Sequence, residues 1–464
     1  MLPFREIALE DKPMVEHCGS HYNYHLCERC FVDLFMWRSH YNTQICFKDG
    51  FMLVKMSPLD GGHDCYLAPV GQGDLGAALD ALEQDAAERG LPFVIVSVAE
   101  PMIERIEAVR PGKFTFSHDS EDGDDYIYLA EKLRTLSGKK LQSKRNLVNR
   151  FKTAYEGRWS YEDMTRENIK DAFAFHVHWC NLNGCARERD FEGETCAIVQ
   201  ALHNFDYLNL RGGLLRLDGE VIAFTFGCKA MPDMFVVQIE KADHTIQGAY
   251  QMINQQFVQR NCNDVEYVNR EEDLGLEGLR QSKLSYHPLF LQPKLTAQRL
   301  TEEQLQLRAL WLACFPEDTQ DDVEQFLLSR YDERRCLVAR RDGRIAAMLH
   351  IVPFRDTAYI YAVATDTIHR FKLKYTFSPW VLSLLLLTGI GNIQELHAMN
   401  KMPFPPAYQN FFRLGLVLKE HVSPETVVAS RKGELLYMFS GTRVAGYAYS
   451  QDDRAVIQKM LDDG

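Results

Sequence analysis

Residues 211–271 read RGGLLRLDGEVIAFTFGCKAMPDMFVVQIEKADHTIQGAYQMINQQFVQRNCNDVEYVNRE. Alternating apolar runs flank Asp218-Gly219, a dipeptide suited to a tight hairpin turn, so two antiparallel strands are predicted there. MFVVQIEK (234–241) predicts a third strand, GAYQMINQQFVQRN (248–261) a helix, and DVEYVNRE (264–271) a strand parallel to the third. This order has a physical use. Where two parallel strands part, the helix between them points its unpaired backbone N–H groups into the gap, and such groups bind phosphate or a developing oxyanion. The gap also admits an extended acyl or pantetheine arm. Strand alternation puts Gln238 and Glu240 on one face of the third strand and Val237 and Ile239 on the other.

Reading outward, the same order recurs. Downstream, LTEEQLQLRALWLACF (300–315) predicts a helix, CLVARRDGRIAAMLHIVPF (336–354) a hairpin about Asp342-Gly343, YIYAVAT (359–365) a strand, Trp380 to Ile390 a helix, and IQELHAM (393–399) a strand. Upstream, ICFKDGFMLVKM (45–56) predicts a hairpin about Asp49-Gly50, DLGAALDALEQDAAERG (74–90) a helix closed by Gly90, and PFVIVSVA (92–99) a strand. The expected fold class is α/β (α+β), with mixed central sheets flanked by helices and used in tandem. The expected domains are 1–128, 129–295 and 299–464.

Composition narrows the functions. The chain has 464 residues, 46% hydrophobic and 25% charged, which fits several ordinary globular modules. A net charge of −12 argues against coating nucleic acid through bulk charge. The start, MLPFREIALEDKP, carries acids where a secretion signal is apolar, and the longest apolar run, Trp380 to Ile390, is too short to span a bilayer. A cytoplasmic protein with no transmembrane segment is expected, its 12 Cys mostly reduced. Cys18, His21, Cys27 and Cys30 have a spacing compatible with zinc, but FVDLFMW follows directly and reads as a packed helix, so no metal is expected.

One segment departs from the acidic average. Glu131 to Arg158 holds nine Lys or Arg against two Glu, and follows an acidic loop with Asp119, Glu121, Asp122, Asp124 and Asp125. Lys140, Lys144 and Arg145 are expected on neighbouring turns of one helix, placed to hold tRNA phosphates, a lipid phosphate or a nucleotide. A solvated helix face paired with the acidic loop is the plainer reading. A lipid phosphate would imply peripheral contact with a membrane surface.

Both repeats of the hairpin–strand–helix–strand order resemble the GCN5-related N-acetyltransferase superfamily. In the C-terminal module the resemblance rests on AVATDTIHRFKLKYTF (362–377) and PPAYQNFFRLGLV (405–417). It implies a phosphate-contacting Arg370 and a general acid at Tyr408. Leu373 and Tyr375 stand where the family expects small residues and would crowd a pyrophosphate, which implies a degenerate module. LSGKKLQSKRNLVNRF (136–151), VVQIEKADHTIQGAYQMIN (236–254) and VNREEDLGLEGLRQSKLSYHP (268–288) resemble the C-terminal domain of phosphatidylglycerol lysyltransferases over about residues 1–295. That resemblance implies paired acetyltransferase-like folds and transfer of an aminoacyl group from charged tRNA. No membrane-spanning half accompanies it, which leaves the acceptor open.

Several further residues are candidates. Glu240, at the end of the third strand, is placed to take a proton from an attacking amine, or simply to brace the loop. Gln247, Gly248 and Ala249 open the helix, where small residues admit a ligand to the backbone amides. Asn269, Arg270, Glu271 and Asp273 lie at the next strand's end, Glu271 or Asp273 suiting a substrate ammonium. Arg280 and Lys283, one turn apart, and Tyr286 complete the motif and suit an amino acid or a phosphate. An ion-pair network that locks the loop is the competing reading. The leading expectation is an acyl- or aminoacyltransferase with an anionic carrier, aminoacyl-tRNA or an acyl-CoA such as acetyl-CoA. A CoA-dependent N-acetyltransferase and a non-catalytic sensor or scaffold are the alternatives.

Overall fold

Each predicted hairpin turns on an Asp-Gly pair with positive φ at both residues: 49° and 83° at Asp49-Gly50, 52° and 90° at Asp218-Gly219. That is the geometry a two-residue turn needs to match the twist of its strands. The computed structural model describes residues 1–365 apart from 23, 58–61, 119, 184–188, 330 and 355–356, and beyond those only 428–430 and 444–446. Two units are present, Met1–Arg299 and Leu300–Gly464.

The first unit begins with β1 (Arg5–Glu6), α1 (Lys12–Gly19), α2 (Phe31–Met36), β2 (Gln44–Lys48), β3 (Phe51–Met56), β4 (Cys65–Leu67), β5 (Val70–Gly71), α3 (Leu75–Arg89), β6 (Val94–Val98), α4 (Glu100–Val109) and β7 (Phe114–Ser117). Asp74 caps α3 by accepting from the Ala77 amide at 3.1 Å, and Gly90 ends it at φ 70°. There follow β8 (Asp125–Leu129), α5 (Ala130–Thr135), α6 (Gln142–Ala154), β9 (Trp159–Asp163), α7 (Ile169–Asn183), α8 (Arg189–His203), β10 (Arg211–Leu217), β11 (Glu220–Lys229), β12 (Met234–Ala242), α9 (Ala249–Asn261), β13 (Tyr267–Asn269), α10 (Glu277–Leu284), β14 (Phe290–Gln292) and β15 (Leu295–Arg299).

These strands make two sheets, one in the order β1-β2-β3-β4-β6-β15-β7 with β5 on β3, the other β14-β8-β13-β12-β11-β10-β9. The sheets exchange strands. β8, expected in the half ending at 128, lies between β13 and β14 of the second sheet. β15, which falls across the gap between the domains expected at 129–295 and 299–464, returns to the first sheet between β6 and β7. Phe31 and Phe35 of α2 share one buried cluster with Phe224, Phe226 and Ile239 of the second sheet. The other face of that sheet packs Phe235 and Val237 against Phe257 of α9 and Phe151 of α6.

The basic segment is two helices rather than one. Leu136 (φ 50°) and Gly138 (φ 94°) turn left-handed and end α5, so Lys139 and Lys140 sit in the break, and α6, which starts at Gln142, carries Lys144 and Arg145.

The second unit carries α11 (Glu302–Cys314), α12 (Gln320–Ser329), and β16 (Cys336–Arg341), β17 (Arg344–Phe354) and β18 (Thr357–Thr365) in one antiparallel sheet. Thr301 opens α11 in a reciprocal cap with Gln304. β19 (Val428–Ser430) and β20 (Val444–Gly446) pair in parallel. Trp380 to Ile390, IQELHAM, Arg370, Leu373, Tyr375 and Tyr408 lie outside the described residues. Among the described residues no helix is long and apolar enough to cross a membrane.

Candidate functional site

β12 and β13 pair only from Met234–Val236 to Tyr267–Asn269, and beyond Val236 the two chains part. The first half repeats this: β4 and β6 pair only at Tyr66–Leu67 with Ile95–Val96. Opposite Phe226 and Gly227 of β11 the register slips, leaving Gln238 as the extra residue of a bulge in β12. The bulge reverses the alternation expected from sequence. Gln238 bonds Cys228 in the cluster shared by the halves, next to Ile239, while Glu240 turns to the opposite face and meets Asn254 of α9.

Glu240 is the centre of a buried polar cluster. Its Oε1 accepts from Arg270 Nη2 at 2.9 Å and its Oε2 from Asn254 Nδ2 at 2.7 Å, and the two charged side chains are 8% and 9% exposed. The Arg270 guanidinium lies over the rings of Tyr286 (4.9 Å) and Tyr128 (5.7 Å). The Lys144 ammonium lies 4.5 Å from the centre of the same Tyr286 ring. Burial, and then the Arg270 charge, push the Lys144 amine below its ordinary value, with Glu240 opposing. Arg270 Nη1 and Asn254 Oδ1 are buried and have no aligned hydrogen-bond partner. Two cations thus face one carboxylate with a donor to spare, which suits an anion or a polarised carbonyl oxygen.

The loop Arg270–Gly275 is held from inside. The Lys283 ammonium donates to the carbonyls of Arg270 (2.6 Å), Glu271 (3.1 Å) and Glu272. Burial pushes the amine down to about 8. Arg280 grips Asp273 with two bonds of 2.8 and 2.9 Å and also bonds Asp122. Asn269 donates to Asp125 at 2.8 Å and accepts from the Glu271 amide at 2.7 Å. Asn269, Asp273, Arg280 and Lys283 therefore build the loop, the network that the sequence offered as the competing reading.

A second, acidic cluster lies between the halves. Lys294, just before β15, places its ammonium 2.7 Å from Glu28, 2.8 Å from Asp125, 3.2 Å from Glu272 and 3.5 Å from the Cys27 sulfur. Cys27, Glu28 and Asp125 bring possible metal-ligand atoms within 4.8 Å of one another, and Lys294 reaches all three. Burial and the surrounding carboxylates push Asp33 and Glu271 well above the usual carboxylate range. Glu271 Oε1 is buried without a partner. Cys18, Cys27 and Cys30 have separate surroundings, Cys27 meeting Asp125 and Cys30 meeting Cys228.

Of the basic residues proposed together, only Lys144 joins the Glu240 cluster. Lys140 is exposed, and Arg145 caps α5 by donating to the Leu136 and Gly138 carbonyls. The acidic loop is engaged by Arg280, His118 and Lys294 rather than by α6. Gly248 (φ 91°) is small because α6 crowds it: an added Cβ would meet the Leu147 carbonyl at 2.9 Å and Phe151 Cβ at 3.1 Å. The Ala249 amide already donates to the Ile246 carbonyl at 3.1 Å, and Gln247 is exposed. Tyr128, Asn254, Glu28, Asp33 and Lys294 were missed. Asn254 is one of three consecutive buried amides on α9, with Gln255 and Gln256, and nothing in the sequence singles it out. The others depend on long-range packing.

A family model described as phosphatidylglycerol lysyltransferase, C-terminal, matches residues 20–298. The chain belongs to this family. A conserved protein of unknown function from Bacteroides thetaiotaomicron, of known structure, is 39% identical, with a TM-score of 0.61, over 65% of this chain and 100% of that one. An uncharacterised protein of Mycoplasmoides gallisepticum is 26% identical over 176 residues, 37% of this chain, and the match spans about half (54%) of that relative. The segment matched to the lysyltransferase C-terminal family contains both clusters entire, whereas Arg370 and Tyr408 fall outside it.

Proposed function

We propose that this chain transfers an aminoacyl group from an anionic carrier, aminoacyl-tRNA, to an amine or hydroxyl acceptor, and that the Glu240 cluster is the transfer site. The observation that carries the proposal is the buried, unpartnered Nη1 of Arg270 beside Lys144, where β12 and β13 part. A developing oxyanion placed there meets a buried donor already oriented by Glu240, with the half-buried Lys144 ammonium as a second cation, the kind of arrangement that stabilises acyl transfer. Glu240 keeps lone pairs beyond its two protein bonds and is placed to receive the acceptor's proton. Glu271, with Oε1 unpartnered between the halves, is placed to hold the ammonium of the aminoacyl group. Tyr286 forms the wall between Lys144 and Arg270.

The test is transfer from radiolabelled aminoacyl-tRNA into lipid, peptide and small-molecule fractions. R270K, which keeps the charge and loses the planar fork, is expected to slow transfer by about 10²-fold or more, and E240Q by a similar factor. K144A is expected to weaken carrier binding and its dependence on salt. Transfer that survives R270K and E240Q together would overturn the assignment. Incorporation from acetyl-CoA but not from aminoacyl-tRNA would replace the carrier.

A further inference from the structure

Cys30 precedes α2 in the first half and Cys228 lies in β11 of the second, 198 residues apart in sequence, yet their sulfurs stand 3.0 Å from each other. Both residues are buried, 6% and 4% exposed, inside the cluster that the halves share. A disulfide needs its sulfurs at about 2.05 Å, so closing the pair asks for a shift of about 1 Å. Gln238, the bulged residue of β12, donates its side-chain amide to the Cys228 sulfur at 3.4 Å and so holds that atom in place beside Cys30. The thiolate is the form that attacks an oxidant.

We propose that Cys30 and Cys228 are an oxidation site, closed by a peroxide into a disulfide that staples the two halves through their common core. One sulfur, losing its proton, attacks a peroxide oxygen to give a sulfenic acid and one molecule of water or alcohol. The second sulfur then attacks the first, forms the S–S bond and expels the hydroxyl as water. Each cysteine loses one hydrogen, and the peroxide takes up both electrons. The bond ties α2, which carries Asp33, to the strand paired with β12 at Val236, where the parted segment begins. It therefore fixes α2 against β11 across the shared core. The hydrogen bond with the Cys228 thiol, and then burial, push the Cys30 thiol well up, so a slow reaction is expected, completed over many minutes.

The test is hydrogen peroxide on the native, full-length chain, followed by denaturation, alkylation and peptide mapping. The expected result is a peptide pair linked through Cys30 and Cys228, an intact mass lower by two hydrogens, and a melting temperature raised by several degrees and restored by dithiothreitol. C30A and C228A should each lose the link and the shift. Should either variant fail to fold, the map of the unaltered protein decides alone. Recovery of both cysteines singly alkylated, or each carrying its own oxygens, overturns the proposal, as does a link that forms only after denaturation.

Discussion

Asp273 has no exposed surface, and its oxygens take two bonds from Arg280, one of 2.6 Å from the Tyr126 hydroxyl and one from the Gly275 amide. Arg280 and Tyr126 hold the carboxyl down to about 2, against 3.8 for a free side chain, with burial opposing. A carboxylate whose folded value is depressed adds stability that is present above its unfolded value and lost as pH falls through the folded one. The loop is therefore expected to weaken between about pH 4 and pH 2, by about 2 kcal/mol in all. Melting temperatures across that range should fall for the unaltered chain, whereas D273N, already lower at pH 7, should show a flatter profile. Equal slopes for the two would remove Asp273 from this role. Its charge was readable in sequence and its partner was not, because Arg270, Arg280 and Lys283 were equally available as partners before the loop had a shape. The same holds for Glu240. Its place at a strand end was legible, but the face it occupies depends on the Gln238 bulge, a register slip against β11 that no local pattern announces.

At the scale of elements, periodicity and turn chemistry were the readable part. The four Asp-Gly and Gly-terminated features at 49–50, 90, 218–219 and 342–343 all end or turn elements where the sequence placed them. The basic helix was misjudged because charge was counted where backbone conformation governs. Leu136 and Gly138 break it, and the break sends Lys140 outward and Lys144 inward. Gly248 shows how a small residue at a helix start has two explanations that only packing separates. Replacing it with Ala forces φ of about 90° on a side-chain residue and drives Cβ against the Leu147 carbonyl, which the neighbouring backbone cannot yield cheaply. A loss of about 2–3 kcal/mol is expected, combining the strained φ with the displaced helix. Chemical denaturation of G248A measures it. A change under about 0.5 kcal/mol, the size of an ordinary surface substitution, would show that α6 moves freely and reopen the ligand explanation for this glycine.

For the first unit as a whole, the exchange of strands means that neither half is a self-contained stretch of chain. β15 fills the slot between β6 and β7, pairing Leu295 with Val98 and Thr296 with Ser117, and buries Ala297 completely. Removing it leaves two strand edges facing one another across an empty position, each with unpaired amides and carbonyls that bond other chains instead. Lys294 leaves with it, and Glu28, Asp125 and Glu272 are then left together without their cation. A buried charge stripped of its partner costs about 3–5 kcal/mol, which compares with the whole stability of many domains. A chain ended after Gln292 is accordingly expected to aggregate or to lose amide-exchange protection across β6 and β7, whereas one ended after Arg299 should stay folded and monodisperse. The two effects separate in K294M, which keeps the strand and should lose stability without losing protection in β7. If the chain ended after Gln292 were to match the longer one in melting temperature and exchange, the first sheet would close without β15, and the coupling of its two halves would rest on their shared core alone.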